Sequence, residues 1–253
     1  MKQTHRRTGA QTHRGLWLLL VLCTGAAVPS VPTVVQGQAP RQRPCIVDID
    51  TAGRAYQNTI GTSALFYAGG IFKAHCRDEY TTMQSDSVEW YSERGELRLL
   101  GNVHFRDSTA ILDADKVTYW TRVERLYAEG RVYTRNVASG SEMRGPNLEY
   151  LRAVKPIRDT LEIFMQGRPA IRFQPGAKDS VPADTTDPFV IVADRVRMKH
   201  TNRMWGSGHV TVDRSDLNAR SDSAQLDLAD SIGLLIGAAV VIGRDTARAR
   251  TDT

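Results

Sequence analysis

Six glycines stand inside alternating apolar runs: Gly70-Ile-Phe, Gly101-Asn-Val-His-Phe, Gly130-Arg-Val-Tyr, Gly167-Arg-Pro-Ala-Ile, Gly208-His-Val-Thr-Val and Gly237-Ala-Ala-Val-Val. Successive copies lie 31, 29, 37, 41 and 29 residues apart. A second landmark keeps step with the first, a small or acidic residue followed by apolar residues at alternate positions. Its copies are Asp86-Ser-Val-Glu-Trp, Asp115-Lys-Val-Thr-Tyr, Pro146-Asn-Leu-Glu-Tyr, Asp194-Arg-Val-Arg-Met and Asp222-Ser-Ala-Gln-Leu. Two landmarks in phase over five units define an internal repeat, and a repeat of this length restricts the chain to a stacked architecture.

The period within each unit is that of a strand. Around Gly101 the residues at −4, −2, +2 and +4 are Leu97, Leu99, Val103 and Phe105, with Arg98, Leu100, Asn102 and His104 between them. Around Gly130 the same offsets give Leu126, Ala128, Val132 and Thr134, and around Gly208 they give Met204, Gly206, Val210 and Val212. Side chains two apart on a strand share a face, so one row points inward and the other outward. The second landmark adds Val88 and Trp90, Val117 and Tyr119, Val196 and Met198, and Leu226 to the inward row. A glycine in that row marks a bulge, a bend or a close approach. Each unit reads as two strands with a turn between, as in Ser87–Tyr91, Ser92-Glu-Arg-Gly95 and Glu96–Phe105. Each pair of strands buries its apolar row only against its neighbours. Gln174 to Pro188, rich in Pro, Asp and Thr, is expected to be a mobile insertion within one domain; a domain boundary is the other reading.

Ahead of the repeat stands a different kind of segment. Lys2, Arg6, Arg7 and Arg14 precede an apolar stretch from Leu16 to Val28, and no acidic residue occurs before Asp48. That is the pattern of a secretory signal and short leader over 1–39, with an uncleaved membrane anchor as the alternative. Residues 40–59 then form a lead-in strand region, 60–243 the repeat domain and 244–253 a polar tail. The formal charge of +5 belongs mostly to the leader, since the rest carries 29 basic against 28 acidic residues. No nucleic-acid partner is expected from that balance. Beyond the leader only Cys45 and Cys76 remain, and an even pair in an oxidising compartment reads as a disulfide; two buried thiols are the alternative.

No catalytic, cofactor or metal signature emerges, so the chain is expected to bind or build rather than to catalyse. His75, His104, His200 and His209 have no metal-ligand spacing. Asp113 and Asp115 look like paired carboxylates, but Asp115 holds the position that recurs as Asp86, Asp194 and Asp222, which suits a turn or bulge. Asp48-Ile-Asp-Thr-Ala-Gly53 begins like a calcium loop and lacks the ligands at its fifth and twelfth positions. Trp120 and Trp205 fall on the outward row and are the candidate contact residues.

The recurring pattern of Asp-x-apolar-x-aromatic, turn, apolar-x-Gly-x-Val, as in Asp115-Lys-Val-Thr-Tyr and Leu126-Tyr-Ala-Glu-Gly-Arg-Val, resembles the OstA-like family over about residues 60–243. It departs from the family pattern at Pro146 and at the 174–188 insertion. The resemblance implies an all-β jellyroll, an open V of stacked antiparallel strands, and a periplasmic protein of lipopolysaccharide transport. It also implies that acyl chains lie along the inward row: Val88, Trp90, Leu97, Leu99, Val103, Phe105, Val117, Tyr119, Leu126, Val132, Val196, Met198, Val210 and Val212. Partner jellyrolls would then dock through strand edges, or copies of the chain would pair, and Gly237–Gly243, without charge or proline, is the expected edge strand. Periodicity alone does not separate a lipid-lined groove from a closed core. The other readings are a structural β-solenoid of the cell envelope without ligand, and an enzyme on a β-helix scaffold.

Overall fold

Strands form wherever the two-residue alternation runs. A computed structural model describes residues 44–61, 63–174, 187–200, 202–227 and 232–243, and these contain fifteen β-strands and no helix. The signal segment, most of the 174–188 insertion and the polar tail lie outside the described residues. The long strands are β1 (Val47–Ile60), β2 (Ser63–Cys76), β3 (Thr82–Tyr91), β4 (Glu96–Arg106), β5 (Ala110–Trp120), β6 (Arg125–Asn136) and β7 (Glu142–Leu151). The shorter ones are β8 (Glu162–Gln166), β9 (Ala170–Phe173), β10 (Phe189–Val192) and β11 (Arg195–Lys199). After β12 (Arg203–Arg214) and β13 (Leu217–Asp227) come β14 (Ile232–Ile236) and β15 (Val240–Gly243). Every pairing is antiparallel, and the expected lead-in strand β1 pairs with β2 along its whole length.

The two sequence landmarks are one structural device. At Gly130 the register of β5 with β6 steps from Asp113↔Tyr133 to Lys116↔Glu129, so that three residues of β6 face two of β5. Gly130 and Arg131 both take positive φ, +73° and +42°, and the extra residue bends the strand. A β-carbon on Gly130 would run into the side chain of Asp115, and Arg131 Nε donates to Asp115 Oδ1 at 2.8 Å. The glycine thus makes room for the aspartate, and the next residue ties it down. The same pairing recurs as Asp86 with Gly101, Asp194 with Gly208 and Asp222 with Gly237. Asn102 donates to Asp86 at 2.8 Å, and His209 Nδ1 lies 2.8 Å from Asp194 Oδ2. At the third of these five corners Pro146 takes the aspartate's place against Gly167, and Asn147 Oδ1 accepts the Gln166 N–H at 3.1 Å. A proline fits there because the bulge leaves its position outside the ladder.

These corners line up across the stack and divide it into two half-sheets. In the first the order is β1–β2–β3–β4–β5–β6–β7–β8–β11–β12–β13–β14, and in the second the same long strands continue through β9, β10, β12, β13 and β15. Thus β8 and β9 are the two halves of one run broken at Gly167–Pro169, and β11 and β10 those of another broken at Ala193–Asp194. The last run is broken likewise: Gly237 and Ala238, at φ +73° and +38°, form a corner, so the strand expected over 237–243 is only Val240–Gly243, with Ile232–Ile236 as its other half. The half-sheets face each other, since Phe105 from the second meets Tyr119 from the first edge-on at 5.8 Å between ring centres. The result is a folded-over stack with a corner line at its spine, apolar within and polar without.

Candidate functional site

The inward row is where the alternation placed it, and over most of the stack it is packed shut. Val88, Leu97, Leu99, Val117, Tyr119 and Leu126 are wholly buried, Val103, Phe105 and Val132 nearly so, and Val196, Met198, Val210 and Val212 are buried with them. Trp90 packs against the same core and is partly exposed. These side chains belong to one cluster that spans both half-sheets.

The half-sheets part at the end of the stack. A cavity of about 280 Å³ opens there between Leu226, Ile232 and Leu235 of the first half-sheet and Phe173, Phe189, Ile191, Val212, Leu217 and Val241 of the second. Of the expected lipid row, Val212 alone borders it. An apolar cavity of about 150 Å³ suffices for benzene, so this one has room for a longer stretch of hydrocarbon. Its rim carries charge: the Arg214 guanidinium lies 4.4 Å from the centre of the Phe189 ring and pairs with Asp216 at 2.5 Å. The final run that closes this wall is apolar yet largely exposed, with Ile232 at 64%, Val241 at 59% and Ile242 at 57%. The alternation around Gly237 marks Leu235 and Val241 as inward, so these lining residues were readable from the repeat, as were Phe173 and Phe189 two residues beyond Ile171 and before Ile191.

At the other end of the stack a buried polar cluster sits between the half-sheets. Arg152, following β7, reaches Glu124 Oε2 at 2.6 Å, Asp107 Oδ2 at 3.2 Å and Glu79 Oε2 at 3.1 Å. Tyr119 donates to Glu124 at 2.6 Å and Tyr150 to Asp107 at 3.0 Å, while Thr81 Oγ1 lies 3.1 Å from Arg152. Glu124 also accepts the backbone N–H of Cys45 at 2.6 Å, and Cys45 is joined to Cys76 by a disulfide. Burial works against the charge on Arg152, but Tyr119, Glu124, Asp107 and Glu79 more than offset it, and the guanidinium is held ionised. Burial pushes the Tyr119 and Tyr150 phenols well above their ordinary range, so both remain donors. Every buried side-chain polar atom among the described residues has a partner. The sequence gives no sign of this cluster, because Arg152 lies in the irregular stretch between the two strands of the third unit, where no alternation assigns it a side.

The remaining polar candidates are dispersed. His104 pairs with Asp113 at 2.7 Å on the exposed outer face, and Asp115 belongs to its corner, so the two aspartates do not act together. Asp48 and Asp50 are occupied by Arg77 and His75. No group of His, Cys, Asp and Glu able to hold a metal occurs among the described residues. Trp120 and Trp205 lie outward as expected and carry arginines over their rings, Arg125 at 4.8 Å and Arg197 at 5.8 Å.

No family model matches the sequence, and no curated protein matches it. Among solved structures, one that is similar is LptH from Pseudomonas aeruginosa, described as the LptA-homologous periplasmic component of the lipopolysaccharide transport device. The likeness covers 67% of this chain and 98% of that one, at 12% sequence identity and a TM-score of 0.34. At that level it adds nothing to the fold already described.

Proposed function

We propose that this chain is an exported lipid-binding protein of lipopolysaccharide transport, working in the periplasm, that seats an acyl chain between its half-sheets and passes it to a partner jellyroll. The observation that carries the reading is the apolar cavity at the end of the stack, walled by both half-sheets and continuous with an exposed apolar final run. The OstA-like sequence pattern and the signal-like leader support the same reading. The lipid path begins at Phe173, Phe189, Leu226 and Leu235; the deeper row from Val132 back to Val88 joins it only if the half-sheets separate. An edge strand that pairs with nothing on its outer side among the described residues offers the next jellyroll a ladder to extend.

Photocrosslinkers at Leu235 and Phe189 are expected to capture lipopolysaccharide in the cell envelope, while Gln225 and His104 on the outer face capture none. Equal labelling of both faces defeats the proposal. The dry packing of Leu97, Val117 and Tyr119 favours a second reading, a ligand-free structural element of the envelope. That reading gains if no inward position captures lipid.

A further inference from the structure

The residues that meet at Arg152 come from opposite ends of the bent strands. Glu79 and Thr81 lie in the turn between β2 and β3, and Asp107 in the turn between β4 and β5; both turns close the second half-sheet. Glu124, in the turn between β5 and β6, and Arg152, after β7, close the first. The corner line at Asp86, Asp115 and Pro146 lies midway along the same strands. The cluster therefore ties the two free margins of the folded stack together, opposite its spine. Cys45 adds a second tie, bonded covalently to Cys76 in β2 and through its N–H to Glu124.

A buried cluster of this kind is a costly way to gain stability, because its charges must be stripped of water, and well-packed apolar residues serve that end as well or better. What it supplies is a closure that depends on a few atoms. One guanidinium holds three carboxylates from three turns, so its loss weakens the hold on all three at once and leaves only single hydrogen bonds, Tyr150 to Asp107 and Cys45 to Glu124, across the margin. Where the cluster ends, the half-sheets part and the cavity appears: the described residues of β9–β15 show no comparable tie.

We propose that the Arg152 cluster is a clasp: closed, it keeps the inward row of β3–β7 dry, and released, it lets the half-sheets part about the corner line and lengthens the apolar cavity into a groove. The purpose of such a clasp rests on the lipid-carrying reading, but its mechanics do not. Besides the Cys45 tie and the Tyr150–Asp107 hydrogen bond, packing between the half-sheets acts across the margin, and it is the force an acyl chain would replace in kind.

Spin labels on a ketone-bearing amino acid at Glu93 and Ala138 test the mechanics in the full protein without touching the cysteines. Both positions are exposed, one in the turn that closes the first half-sheet after β3 and the other in the turn that closes the second after β6. The native protein is expected to give one narrow distance. Arg152→Met is expected to add a population longer by roughly 5 Å or more, half the spacing of packed sheets, and Glu124→Gln a smaller one, with strand content retained in both. An unchanged distance distribution in a folded Arg152→Met overturns the proposal; should that variant fail to fold, an unchanged distribution in Glu124→Gln does so. Longer distances without lipopolysaccharide capture at Leu235 uphold the clasp and count against the lipid reading. Capture with unchanged distances does the reverse.

Discussion

An aspartate and a glycine on neighbouring strands share one volume at each corner, and the consequences fall on single residues. Gly130 takes φ +73° with Asp115 against its α-carbon, so Gly130→Ala brings both backbone strain and a collision. The strain alone costs about 1–2 kcal/mol, and urea unfolding is expected to show at least that loss. The charge of the aspartate matters separately. The hydrogen bond from Arg131 holds the Asp115 carboxyl below its ordinary 3.8, and the one from His209 does the same for Asp194. A depressed folded value means stability that is present above 3.8 and is lost as pH falls through the folded value. Asp115→Asn is therefore expected to melt below the native protein at neutral pH, with the gap closing once pH drops well under 3.8. Both carboxylates are solvent-exposed, so the gap should be small and should shrink further with salt.

Strands carry the next level of consequence, and the last of them most of all. The residues of β15 pair with β13 from Arg220↔Val240 to Leu217↔Gly243, and among the described residues nothing pairs with their other side. An unguarded apolar edge invites a further strand. Ile242→Lys puts a charge on an exposed position, where substitutions usually change stability by about 0.5 kcal/mol or less. Sedimentation is expected to show weaker self-association or partner binding in this variant, with an unchanged melt. A native chain that stays monomeric at high concentration and crosslinks to no partner through 240–243 sets the edge aside as an interface. The strands themselves were legible from alternation, and the expected Glu96–Phe105 ends within a residue of β4. The corner inside 237–243 escaped that reading, because Ala238 and Ala239 continue the apolar run without a break while the backbone turns. A repeat of Asp222 against Gly237 was the signal that the other corners supplied.

For the molecule as a whole, closure depends on contacts between residues far apart in the chain. The disulfide joins residues 31 apart, for which loop closure is worth about 3–4 kcal/mol. At about 2–4 °C per kcal/mol for a chain of this size, reduction is expected to lower the melting temperature by roughly 6–16 °C, and an unchanged melt after reduction shows that the bond contributes little. The repeat announces the stacked architecture, the inward row and, through Leu235 and Val241, part of the cavity wall. Alternation has no means of announcing where the two half-sheets touch and where they diverge. That is decided by Arg152, Glu124, Asp107 and Glu79, brought together from turns that the local pattern treats as interchangeable.

The corner line has one more consequence. Because each strand bends at the same point along its length, a hairpin added or removed leaves every other strand with its inner and outer sides unchanged. Each strand adds about 4.8 Å to the stack, so the repeat works as a ruler graduated in strand pairs. The distance such a molecule spans can then change by whole units without redesign of its interior.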